Sequence, residues 1–202
     1  VSYLGVRLAA TGVFQRHGMR RIGLIAAVHL AALTVMLATE VDTVARVAFL
    51  LTWGLVNCFW IVTLRRPLAA AAISLVMFTI LILLSQLKHN ALLMTVSFVD
   101  VMVIDTETIR FLLTVFPELQ RNVVLIGLIV LPVLALLWMF DPFRVRRRAA
   151  ATGGAVCLLG ISVLSASFPT EPYEAFFGDN YVSKFVRSGA MAVSELASHG
   201  FL

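Results

Sequence analysis

The chain has 202 residues, of which 60% are hydrophobic and 13% charged, with a mean hydropathy of +0.97. That balance excludes a soluble domain with a polar surface and describes an integral membrane protein. Sixteen Lys and Arg against eleven Asp and Glu give a formal charge of +5, but in a membrane protein the placement of charges matters more than their sum, and no nucleic-acid partner is needed to explain it.

In chain order, residues 1–21 form a polar, basic lead with Arg7, Arg16, Arg20 and Arg21. Val1 stands where Met is usual, which marks an unusual start, a fragment or a processed form. Five uncharged apolar runs follow: Ile22 to Thr39, Val47 to Leu64, Pro67 to Leu87, Asn122 to Phe140 and Ala149 to Thr170. Each has about 18 to 22 residues, the length that crosses a bilayer as helix. The first is long for a signal-peptide core and has no small-residue cleavage pattern before Glu40, so it is expected to stay as a helix. The expected fold is all-α and polytopic: five transmembrane helices, a re-entrant or interfacial segment through Ala91 to Ile104 interrupted by Asp100, and an amphipathic helix near the C-terminus. Residues 1–168 form the membrane domain, and residues 169–202 an outer-face linker that leads to an absent or separate soluble domain.

Five spans put the termini on opposite sides and divide the charges in two. One side collects ten basic residues and one acid, Asp141, with arginines in the lead, at Arg65-Arg66 and from Arg144 to Arg148. The other holds six basic residues and ten acids. The positive-inside rule therefore predicts a bacterial cytoplasmic (inner) membrane protein with its N-terminus in the cytoplasm and its C-terminus outside, facing the periplasm.

Two outer segments exceed what a connection needs, and function is expected there. In the first, Lys88, His89, Asp100 and Asp105 are candidates to hold a lipid headgroup phosphate. The competing reading makes Lys88 an interfacial anchor and the two acids caps of the dip. A short helix is expected from Thr106 to Phe116, capped by Thr106 and stopped at Pro117. In the second segment, Val182, Phe185, Val186, Gly189, Val193 and Leu196 share one helical face, a stripe that needs a membrane surface or a partner to cover it, and His199-Gly200 ends it.

Inside the spans, His29, Asn57 and Gln86 are the main polar groups. Interhelical hydrogen bonding is the expected role of His29 and Asn57. Pro132 is expected to kink the fourth span, Gly153, Gly154 and Gly160 to allow close helix approach, and Cys58 and Cys157 to serve as packing residues without disulfide or zinc spacing. Serine-hydrolase, zinc-protease and phosphate-loop motifs are missing from these residues, which hold no self-sufficient catalytic constellation. The sparse mid-membrane charge argues against a transporter.

Gln86-Leu87-Lys88 leads into Ser97-Phe98-Val99-Asp100 and Thr106-Glu107-Thr108-Ile109, and the tail reads Tyr181-Val182-Ser183-Lys184-Phe185-Val186-Arg187-Ser188-Gly189. With five spans, a dipping outer segment and a terminal amphipathic helix, this order resembles the N-terminal membrane domain of the lipoteichoic acid synthase-like family, sulfatase-fold phosphoglycerol and phosphoethanolamine transferases. The similarity runs from about Pro67 to Leu202 through loose motifs. It implies transfer of a phospholipid headgroup to a glycan or lipid acceptor outside the cytoplasmic membrane. It also implies that the divalent metal, manganese or zinc, and the threonine nucleophile belong to a soluble domain downstream, so no cofactor is expected in these residues. The partners would be membrane lipids and that catalytic domain. The alternative is a non-enzymatic assembly subunit that docks on another membrane subunit through its tail.

Overall fold

The computed structural model describes residues 22–115, 117–141, 143–169 and 172–199. The basic lead with its four arginines, Phe116 at the end of the expected short helix, and Gly200 lie outside them. Among the described residues there is no strand, and eight α-helices form: α1 Ile22–Thr39, α2 Thr43–Leu64, α3 Pro67–Leu92, α4 Phe98–Val103, α5 Thr106–Val115, α6 Pro117–Phe140, α7 Arg147–Ser167 and α8 Tyr181–His199. One 3-10 turn, Pro172–Phe176, precedes α8. Helices α1, α2, α3 and α7 are long and apolar enough to cross a membrane, and α6 adds a shorter apolar stretch, Val123–Met139. These apolar helices are those of a membrane protein.

Helix ends are set by local chemistry. Asp42 accepts from the Ala45 amide at 2.7 Å, so α2 begins ahead of its apolar run. Helix α3 does not stop at Lys88. It continues through His89 and Asn90, because a charge at a helix end does not break backbone hydrogen bonding, and it closes only where Leu93 turns left-handed with φ 56°. Pro132 lies within α6, whose helix continues to Phe140.

The core is an aromatic wedge. Phe49 and Trp53 of α2 both meet Phe78 of α3 edge-on, at 5.1 and 5.4 Å between ring centroids, and Ala32 and Met36 of α1 close over them. Tyr181 and Val182 of α8 belong to the same buried cluster. The start of α8 is thus a plug in the bundle.

The most extensive interface is between α2 and α7. A methyl group on Gly54 would lie 2.8 Å from Cys157 Sγ, one on Gly153 would lie 3.2 Å from Cys58 Sγ, and one on Gly160 would lie 3.0 Å from Leu51. Positions that rise along α2 thus meet positions that fall along α7, so the helices run antiparallel, and each offers a Gly-x-x-x-Cys step whose thiol fills the other's glycine notch. Both cysteines are free and act as knobs.

The polar residues of the spans correct one expectation. His29 meets the carbonyl of Ile25 at 2.9 Å and Asn57 donates to that of Trp53 at 2.7 Å, each four residues back in its own helix, instead of bridging to a neighbour. Thr34, Thr52, Ser74, Thr79 and Ser162 bond in the same way. In an apolar medium the carbonyl one turn back is the nearest acceptor. His29 does touch α2, as an imidazole edge on Trp53. Gln86 is exposed.

The short connections gather at two ends. At one, Arg66 donates to the carbonyls of Trp138 and Asp141 and lies over the Trp138 ring, while the buried carboxylate of Asp141 accepts from the Leu68 amide at 2.8 Å. Asp141 therefore caps α3 from 73 residues away. Asp141→Ala is expected to cost about 1–3 kcal/mol, because it strands buried amides; thermal unfolding in detergent measures it.

Candidate functional site

The opposite end is assembled from three parts of the chain: the α1–α2 turn, the α3–α4 connection and the segment entering α8. Its centre is Glu40, only 1% exposed, whose carboxylate accepts from the Val182 amide at 3.0 Å and from Ser183 Oγ at 2.7 Å. It sits at the first turn of α8 and supplies, from 142 residues away, the cap that a local side chain would ordinarily provide. Burial raises its pKa to about 7, against the opposing pull of the Ser183 and Val182 bonds. Asn180, left-handed at φ 51°, completes the joint: its amide donates to Thr39, its side-chain oxygen accepts from Val41 at 2.7 Å, and its Nδ2 donates to Asp42 at 2.8 Å.

Lys88 and Asp100, both expected to meet lipid, meet each other at 2.7 Å. Asp100 also closes a reciprocal capping box with Ser97 at the start of α4. Burial would raise the Asp100 pKa, but the hydrogen bond from Lys88, the Ser97 bonds and the lysine charge outweigh it and hold the carboxyl below its ordinary value. Asp105 stands apart, exposed at the head of α5, where it accepts from Thr108 at 2.7 Å. Those Thr108 bonds lower its pKa. The cap of α5 is therefore Asp105, and Thr106, expected to be the cap, is the first helical residue. His89 lies against Gly178, where an added methyl group would come within 2.8 Å of Nε2, and its Nδ1 is buried with no hydrogen-bond partner among the described residues.

The apolar stripe of α8 divides. Val182 is fully buried and Phe185 and Val186 are half-buried, whereas Val193 is 59% exposed and Leu196 37%. The first half is seated by Phe98, whose ring meets Phe185 at 5.9 Å and whose amide donates to Ser188 Oγ at 2.9 Å; Gly189 leaves the room Phe98 needs. The second half carries its apolar residues into the open.

Two cations on α8, Lys184 and Arg187, are more than nine-tenths buried. Lys184 bonds Asp179 and the Phe177 carbonyl at 2.9 Å each. Arg187 donates to the Phe168 carbonyl and stands 3.5 Å from Glu174. Their helical positions were visible in the sequence, but their burial was not, because it depends on partners ahead of the helix, Phe168, Glu174, Phe177 and Asp179. Glu40 had no local signal at all. Among the described residues no group of three or more His, Cys, Asp or Glu is placed to hold a metal ion.

Comparison with known protein families, with curated proteins and with solved structures gave no match to this chain.

Proposed function

We propose that this chain is the membrane-embedded, lipid-facing module of a phosphoglycerol- or phosphoethanolamine-type transferase in a bacterial cytoplasmic membrane. In this reading α1, α2, α3, α6 and α7 cross the bilayer, the N-terminus is cytoplasmic, and the Glu40 end faces outward. The stretch from Leu92 to Ile104, with Leu92, Leu93, Val101, Met102 and Val103 at least half exposed, lies in the outer interface. Helix α8 leads to the catalytic domain that carries the metal and the nucleophile.

One observation supports the reading above others. Three of the four segments that carry the family resemblance, far apart in sequence, touch: Lys88 pairs with Asp100, and Phe98 seats on Phe185, Ser188 and Gly189. Thr106 to Ile109, the fourth, lies away on α5. Lys88, His89 and Asp100 then hold the surface on which the donor lipid is presented. In proteoliposomes containing the full-length protein, Lys88→Ala and Asp100→Ala are each expected to lower headgroup transfer about tenfold, with weaker donor binding, while the fold loses only about 1 kcal/mol for a partly exposed pair. Turnover and donor binding both unchanged would defeat the role.

The exposed apolar half of α8 favours a second reading, an assembly subunit docked on a membrane partner. Truncation from Met191 onward leaves the buried plug in place. Loss of a fixed-stoichiometry partner on that truncation would select this reading over the transferase.

A further inference from the structure

The segment entering α8 is inverted in polarity. In a loop that faces water, charges point out and large apolar side chains point in. Here the two described acids are bound inward: Glu174 stands 3.5 Å from Arg187 and Asp179 2.9 Å from Lys184, and both cations are buried on α8. The rings go the other way. Tyr173, Phe176 and Phe177 are each more than half exposed, and Tyr173 meets Phe177 edge-on at 6.2 Å between centroids. Phe168, the C-cap residue of α7, is half exposed as well.

The surrounding helices fix the level of these rings. Phe168 and Phe177 border the same cavity as Val44 and Ser167, which lie in the first turn of α2 and at the end of α7. The Ala175 carbonyl accepts from the Thr95 amide at 2.9 Å, just past the end of α3. All three helices are long and apolar enough to cross a membrane. The rings therefore stand where such helices leave the hydrocarbon, the level at which amphipathic and aromatic side chains seat in a bilayer. One turn further along α2 and α7, Val47 and Val163 are exposed, so the side of the bundle next to the rings is itself a lipid-facing one. That continuity favours lipid over a protein partner as the cover.

We infer that the segment from Phe168 to Phe177 is a membrane-interface anchor, whose partner is the lipid surface at the boundary of headgroups and acyl chains. Its described acids are taken up by α8, so the anchor reads that boundary and not a particular headgroup. With rings in the interface and carboxylates on Lys184 and Arg187, the segment ties the buried start of α8 to the bilayer. The inference does not rest on the transferase reading, which concerns Lys88, His89 and Asp100.

Phe176→Trp and Tyr173→Trp each exchange one open ring for another and place a fluorescent reporter in the anchor. The full-length protein is reconstituted in vesicles of phosphatidylcholine brominated either near the glycerol or near the chain ends, and the emission added to that of the three native tryptophans is read. That added emission is expected to be blue-shifted, to lose most of its intensity to bromine near the glycerol, less to bromine near the chain ends, and little to acrylamide in the water. Should one variant fail to fold, the other carries the test. Emission at the wavelength of tryptophan in water, with strong quenching by acrylamide, would overturn the anchor. So would blue-shifted emission that neither quencher reaches, the result for rings covered by a second copy of the chain. Headgroup transfer is not read, so failure here leaves the transferase reading standing, and the reverse.

Discussion

Glu40→Leu is expected to release the first turn of α8 from the bundle. The substitution leaves the Val182 amide and the Ser183 hydroxyl without their acceptor in a site that excludes water, at a cost of about 2–4 kcal/mol. Glu40→Gln keeps one acceptor oxygen and is expected to cost about half as much. Protease cutting within residues 181–190 reads the release directly. The same carboxyl makes docking depend on pH. Its folded pKa, about 7, stands above the ordinary 4.5. Between those values the docked state therefore holds more proton than the released state, so docking strengthens as pH falls from about 7 to about 4.5 and is flat above that window. The total change is on the order of 3 kcal/mol. Glu40→Gln is expected to abolish the slope, and an unchanged slope in that variant would assign the titration to another group.

Gly54→Leu is expected to be the most damaging single change in the spans. Even a methyl group there would lie 2.8 Å from Cys157 Sγ, so an isobutyl group must force α7 away, costing about 3 kcal/mol or more. Gly54→Ala alone is expected to destabilise by about 1 kcal/mol, and adding Cys157→Ala to recover that loss, since the shortened side chain vacates the notch while Ala favours helix over Gly. Reversible unfolding in mixed micelles, followed by circular dichroism, provides the double-mutant cycle. Additive losses would mean that the thiol and the notch are not in contact.

Much of the helix layout was legible because an uncharged apolar run has few alternatives. Boundaries moved where side chains outside the run decided them: Asp42 draws α2 forward to Thr43, and the polar Lys88-His89-Asn90 step extends α3 to Leu92. Of the two short helices, α5 was legible from its apolar spacing, though with Thr106 in place of Asp105 as its cap, whereas α4, closed by Ser97 and Asp100, lay within a segment read only as dipping into the membrane. The candidate site was only half legible. Lys88 and Asp100 could be singled out, but not their mutual pairing; Val182 and Val193 looked alike on a helical wheel, yet one is buried and the other open. Glu40 and Asp141 were unreadable for one reason: each caps a helix many residues distant, and such a partnership leaves no spacing rule in the sequence.

The antiparallel seam of α2 and α7 also bears on biosynthesis. Gly54 emerges roughly a hundred residues before Cys157, which at about 5–20 residues per second is a delay on the order of 5–20 seconds. Through that interval the notches of α2 stand without the thiol that fits them, which has yet to be made. A slide of one turn in one direction carries Ile161 against Gly54, where the seam accepts only a small knob, and a slide in the other leaves Gly153 there and takes the thiol out of its notch. The widest contact of the bundle thus waits for the last of its long apolar helices, and only the plug, α8, is made later to meet the carboxylate of Glu40.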